Sequence, residues 1–293
     1  MSRTKKTGKK RNVVSDIVRV LILLVALSVL LYPTVSNYLY EKNSSRVVNN
    51  YDETMAKMEE TERQELLEEA REYNAGLVGS GGVSGDTFHT QVETTPEYDE
   101  LLNMDSSGMM GYITIPKIEV ELPIYHGTSE AVLQAGVGHF PSSSLPVGGE
   151  SSHAVLTGHR GLPSKLLFTD LDEMEVRDIF YIKVLGETFA YQVDQILTVL
   201  PSETDALQIE EGKDYVTLVT CTPYAVNTHR LLVRGHRIPY EEAVQQVPDE
   251  VSRQIPLAIR ALAGAVIFLL VVFIIYQIRK RLRAAKARKK IQR

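Results

Sequence analysis

Two long uncharged runs bracket a chain whose middle is patterned quite differently. Residues 20–40 hold 21 positions without a charged side chain, and residues 261–278 hold 18. Each matches the length a helix needs to cross about 30 Å of hydrocarbon, so both are read as membrane spans. The first has an alternative: only 20–32 is strongly apolar and Pro33 follows, which also fits a cleavable signal peptide. Residues 41–84 are acidic with helical spacing. Leu66, Ala70, Tyr73 and Leu77 recur at i, i+4, i+7 and i+11, with Asn50 or Asp52 as a cap and Gly76 as a stop. This predicts a solvated helical stalk. Residues 79–85 (Gly-Ser-Gly-Gly-Val-Ser-Gly) form a flexible linker by composition, and a polar segment, 85–107, leads onward.

From 108 to 240 the pattern turns to short β-rich runs: 112–115, 120–124, 153–156, 179–184, 189–198, 215–220 and 230–238. Gly127, residues 146–149, Gly186 and Pro223 punctuate them, and 129–135 and 166–170 read as brief helices. Seven or eight such strands predict an all-β barrel or sandwich, between which periodicity does not choose. Residues 241–256 read as a polar tether to the second run.

Charge sharpens this layout. Residues 1–40 carry seven Lys/Arg and one acid, residues 257–293 carry ten and none, and the middle nets −21. A bulk so acidic repels phosphate, which excludes nucleic acid as a partner. By the positive-inside rule the tails 1–19 and 279–293 stay cytoplasmic, and the segment between the runs lies outside. That segment contains the chain's single cysteine, Cys221. It has no partner for an internal disulfide and no companions for a zinc site. No metal and no cofactor is expected.

Cys221 ends the run 215–220, before a turn-prone loop, and Arg230 opens the next run. A thiol at a strand end beside an irregular loop is open to a substrate, although most free cysteines are small buried hydrophobes. Thiol chemistry needs a proton carrier. Of seven histidines, His159 lies just past a strand end between Gly158 and Gly161, where the backbone can turn and expose the imidazole. Residue physics alone lifts it only modestly above the others. Arg230 offers a fixed guanidinium for charge developing on an amide oxygen, or a surface ion pair.

Thr217-Leu-Val-Thr-Cys221, Thr157-Gly-His159 and Arg230, nine residues after the cysteine, resemble the sortase signature, most closely that of class C, pilus-assembling sortases. Longer stretches carry the resemblance across about 95–240, including 111–118, 122–128, 153–163 and 221–235. It implies an eight-stranded sortase-type barrel (108–240) with short helices, an N-terminal helical and lid segment, and two membrane spans (20–40 and 257–278). It further implies a cysteine transpeptidase that cleaves a Leu-Pro-x-Thr-Gly-type sorting signal at Thr–Gly through a Cys221 thioester. The acyl group then passes to an amine, such as a pilin lysine. His159 serves as acid and base, and Arg230 as substrate clamp and oxyanion stabiliser. The partners implied are pilin or surface-protein subunits with such a signal, and the membrane.

Class C members also carry a lid with an Asp-Pro-aromatic motif. Its counterpart here is Asp86-Thr87-Phe88, with threonine in place of proline. If the segment is extended, Asp86 and Phe88 share one side, Asp86 meeting Arg230 and Phe88 covering Cys221. The alternative is a linker that touches nothing. Competing functions are a sortase anchoring proteins to peptidoglycan, a cell-wall cysteine peptidase or amidase, and a non-catalytic membrane-tethered scaffold.

Overall fold

In a computed structural model, residues 13–79, 82–90, 92–104, 107–249, 261 and 264–266 are described. Helix α1 (Val13–Met55) carries the first uncharged run. The chain divides within it into two compact units, 1–38 with 255–293, and 39–254; every contact discussed below lies in the latter. Among the described residues no helix is long and apolar enough to cross a membrane. Nearly all of 261–278, and both basic tails save residues 13–19, fall outside the described residues.

The remaining elements are α2 (Glu60–Leu77), α3 (Pro96–Glu100), β1 (Met109–Ile115), β2 (Val120–His126), α4 (Glu130–Ala135), β3 (Val137–His139), β4 (Ser152–Thr157), β5 (Ile179–Val184), β6 (Glu187–Val199), β7 (Asp214–Thr222), β8 (His229–Ile238) and α5 (Tyr240–Gln246). The strands close into a barrel in the order β1-β2-β3-β4-β7-β8-β6-β5. Closure removes the exposed sheet edges that a sandwich would keep. The pairs β2/β3 and β4/β7 are parallel and the others antiparallel. Ile113, Ile124, Leu156, Phe180, Ile182, Tyr191, Leu218 and Val233 are among the residues filling the buried core.

The N-terminal helices are not a solvated stalk. Ser44, Val48, Tyr51 and Met55 are buried along one face of α1, at the spacing of a helical stripe. Tyr51 donates its hydroxyl to the carbonyl of Met110 (3.0 Å) and accepts the amide of Leu185 (2.8 Å). On α2 the buried positions are Leu67, Ala70 and Asn74. Asn74 accepts from the amide of Leu145 (2.7 Å) and donates to its carbonyl (3.0 Å), so a polar side chain fixes where the helix docks. α1 runs past the expected cap at Asn50 or Asp52, and α2 starts at Glu60. Residues 166–170 form turns followed by a 3-10 helix at Leu171–Glu173, while α4 begins after its N-cap Ser129. The linker is also tethered. Val83 is buried against Val155, Val219 and neighbours, and its carbonyl accepts from Gln208 (2.8 Å).

Candidate active site

Three neighbouring strands set the site in one row. In parallel β4/β7, Thr157 pairs with Val219; in antiparallel β7/β8, Val219 pairs with Leu232 and Cys221 with Arg230. His159 follows two residues after Thr157, the last residue of β4 paired with β7. Two hydrogen bonds extend that register past the end of β4: Gly158 donates its amide to Val219 (3.0 Å), and Thr220 donates its hydroxyl to the carbonyl of Gly158 (2.8 Å). A Cβ on Gly158 would lie 2.6 Å from the Phe168 ring, so only glycine permits this path. Cys221 and Arg230, directly opposite across strands, project from the same face.

Arg230 is held along one edge by its own hairpin. Its Nη1 donates to the carbonyls of Asn227 (3.1 Å) and His229 (2.9 Å). Its other edge, Nε and Nη2, donates to the two carboxylate oxygens of Asp86 at 2.8 and 2.6 Å. This is a bidentate fork. The Phe88 ring lies 5.0 Å from the guanidinium carbon and 5.7 Å from the His159 ring, bridging the two residues that flank Cys221. Cys221 is 8 % exposed.

Asp86 and Phe88 meet the row through a turn, which corrects the expectation of an extended segment. The amides of His89 and Thr90 donate to the carbonyl of Asp86, and the Asp86 side chain accepts from the Phe88 amide (3.2 Å). A side chain that bonds its own backbone two residues on is the turn-forming habit of aspartate. His89 also meets Asp86, Nδ1 to Oδ2 at 2.6 Å. Thr87 is buried, and among the described residues its hydroxyl has no hydrogen-bond partner.

The electrostatics follow from these contacts. Burial works to raise the Asp86 carboxyl, but hydrogen bonds from Arg230, His89 and the Phe88 amide outweigh it and hold the group below its ordinary value. The Cys221 thiol is pushed up, first by burial and then by the Asp86 charge, with Arg230 opposing. The covered cysteine is thus held as a thiol, the poorer nucleophile.

Two other histidines belong to the core. His139 meets the carbonyl of Ser144 (2.7 Å), and burial lowers its pKa to about 3. His153 bridges the carbonyl of Gln208 (2.8 Å) and the hydroxyl of Thr217 (2.7 Å), and burial lowers it to about 4. His126 is tied by both ring nitrogens to the carbonyls of Gly108 and Leu101. His159 instead touches a residue that sequence reasoning missed: its Nε2 lies 3.2 Å from the carboxylate of Glu130, at the start of α4. Nothing in the spacing marks one glutamate, 29 residues away, from the others. Among the described residues no group of side chains is arranged to hold a metal ion.

A thiol, an imidazole and a guanidinium in one row at a barrel rim form an arrangement suited to thiol-dependent acyl transfer. Comparison with known proteins gives the family. The sortase domain model matches residues 113–238. The crystal structure of sortase C1 from Streptococcus agalactiae is 51 % identical, with a TM-score of 0.61, covering 66 % of this chain and 98 % of that one. Streptococcus pneumoniae sortase C is 47 % identical, with a TM-score of 0.63, covering 67 % and 97 %. Among curated relatives, sortase A of S. agalactiae serotype III is 31 % identical over 131 residues, 43 % of this chain and 52 % of that protein. Sortase D of Bacillus subtilis is 30 % identical over 131 residues, 44 % and 63 %. The chain thus spans about half to two thirds of these curated relatives. It belongs to the sortase family of cysteine transpeptidases, with the class C structures among its relatives.

Proposed function

We propose that the chain is a pilus-type sortase. It cleaves a Leu-Pro-x-Thr-Gly-type sorting signal at Thr–Gly and passes the acyl group to a lysine amine of another pilin subunit. The observation that carries this reading is the edge of Arg230 that Asp86 occupies. Its Nη1 is bound to the hairpin, so Nε and Nη2 are oriented beside Cys221 and now grip the two oxygens of Asp86. When Asp86 leaves, the same fork meets the oxygens of an incoming peptide and the oxyanion formed on attack. Cys221 attacks the threonine carbonyl and the C–N bond breaks. His159 gives a proton to the departing glycine amine, and later takes one from the amine that resolves the thioester.

The turn at Asp86, Thr87 and Phe88 serves as a lid that keeps the thiol covered until a signal peptide displaces it. Likeness to the sortase C structures over nearly their whole length favours pilin subunits as partners over peptidoglycan. The charge partition favours a catalytic unit outside the membrane with both termini in the cytoplasm. Product analysis with a sorting-signal peptide tests the reaction class. With a lysine-bearing pilin peptide added, the new amide product dominates. Hydrolysis alone, unaffected by added amine, would assign the chain to peptidase chemistry instead.

A further inference from the structure

Glu130 lies outside the lid and outside the three-residue row, yet its carboxylate oxygen Oε2 is 3.2 Å from Nε2 of His159. The carboxylate is itself oriented. Gln134, one turn later on α4, donates Nε2 to Oε1 of Glu130 at 2.8 Å. Lys165, in the loop that follows His159, donates Nζ to the carbonyl of Gln134 and approaches its Oε1 at 3.3 Å. The loop thus returns to support the group that faces its own histidine. The bond from Gln134 first, with the nearby His159 adding to it, holds the Glu130 carboxyl below its ordinary value. The other ring contact of His159 is Phe88, on the segment that must move for substrate to enter.

An ionised carboxylate only accepts hydrogen bonds, so the ring nitrogen facing it must carry the hydrogen. Which nitrogen of a histidine is free for proton transfer is set by the bond the other one makes. We infer that Glu130 is a positioning residue for His159: it fixes the Nε2–H form and leaves Nδ1 as the atom that exchanges protons during catalysis. This rests on His159 being the proton carrier. Nδ1 takes the proton of the Cys221 thiol, giving an imidazolium with hydrogen on both nitrogens. It returns that proton to the glycine amine as the C–N bond breaks and the thioester forms. It then takes a proton from the incoming amine as the new amide forms and the C–S bond breaks, and passes it to the released Cys221 thiolate. Glu130 keeps the ring in place through all of these steps, whether the lid is closed or open.

The Glu130 side chain is 71 % exposed, so the effect is that of a solvent-screened pair. In the full chain in detergent, Glu130→Ala lowers kcat for peptide transfer about fivefold with KM unchanged, and Glu130→Gln, which keeps an acceptor oxygen, falls between. The second readout is ¹⁵N resonances of the histidine rings, with His159 assigned by its absence in His159→Ala. Wild type shows the Nε2–H form, and Glu130→Ala shows a mixture of the two neutral forms. Wild-type kcat in Glu130→Ala, or an Nδ1–H form in the native chain, overturns the inference while leaving an inactive His159→Ala intact. Full activity in His159→Ala would bring down the catalytic reading beneath it as well.

Discussion

The row of His159, Cys221 and Arg230 and the turn that covers it are held by different kinds of bond. The row is fixed by backbone register. Two strand pairings, the Gly158 amide bond to Val219 and the Thr220 hydroxyl bond to the Gly158 carbonyl position its members. The turn touches the row through side chains, among them the bidentate ion pair of Asp86, the Phe88 ring and a 3.5 Å approach of His89 Nδ1 to Arg230 Nη2. Its anchor further back is Val83, packed on the barrel. A register cannot shift without breaking a sheet, whereas a side-chain fork can trade one carboxylate for another ligand. On the proposed function, the difference separates what stays rigid for chemistry from what yields for substrate to enter.

Breaking the row has the largest effect. His159→Ala lowers transfer by about 10²–10⁴-fold, the range for a lost general acid–base group. Arg230→Lys is comparably impaired, because a lysine keeps the charge but cannot hold the hairpin carbonyls and a substrate oxygen at once. Rates of transfer to an amine, with thermal unfolding as a control for folding, check both. Near-normal turnover in either variant would mean that the row is structural.

Releasing the turn comes next. Asp86→Ala with Phe88→Ala raises the rate of Cys221 labelling by a small thiol reagent about tenfold or more, as loss of charged hydrogen bonds implies. The pH profile moves too. Burial and the Asp86 charge raise the thiol under the cover, so in the double variant labelling rises at lower pH than in wild type. In wild type, Asp86 is depressed when closed. Its contribution to closure is therefore present above the free carboxyl pKa and lost as pH falls through the depressed value. The raised thiol has the opposite sign: its contribution is present below the free thiol pKa and lost as pH rises through the raised one. Closure is tightest between these limits, and labelling that rises steadily with pH, without faster opening on the acid side, would contradict the Asp86 assignment.

Tightening the turn has the smallest effect. Among the described residues the buried Thr87 hydroxyl lacks a partner, which costs about 1–3 kcal/mol in the closed form. Thr87→Val removes that cost and slows Cys221 labelling about fivefold or more, converted from the lower end of that range. Faster labelling would show that the hydroxyl finds a partner in the closed form.

Most strands were legible in the sequence because β-rich runs are broken by glycine and proline, and a lone thiol at a strand end marks itself, whereas His159 and Arg230 stood out only through the family resemblance. Strand β3 escaped notice. It is three residues long, and its Gly138 has no side chain to signal a strand, although a Cβ there would meet the Gly127 carbonyl at 2.5 Å. The docking of α1 and α2 was read as solvated for a physical reason: Ser44 and Asn74 are polar residues in the buried faces, and their value lies in sequence-distant backbone partners, Glu121 on β2 and Leu145 between β3 and β4. The choice of barrel over sandwich depends on closure between β5 and β1, a long-range pairing that local periodicity does not encode. The turn at Asp86 follows from the local bonding of aspartate, but its meeting with Arg230, 144 residues away, does not.

The central claim is that Cys221, backed by the neighbours its strands supply, is the nucleophile of a transpeptidase. Intact mass spectrometry of the full chain mixed with a Leu-Pro-x-Thr-Gly peptide tests it most directly. The account predicts an added mass equal to the acyl fragment ending in threonine, mapped to Cys221 and discharged by a lysine amine. Cys221→Ala, folded as the wild type is, shows no adduct. An adduct that persists in Cys221→Ala, or amine transfer without Cys221, would contradict it.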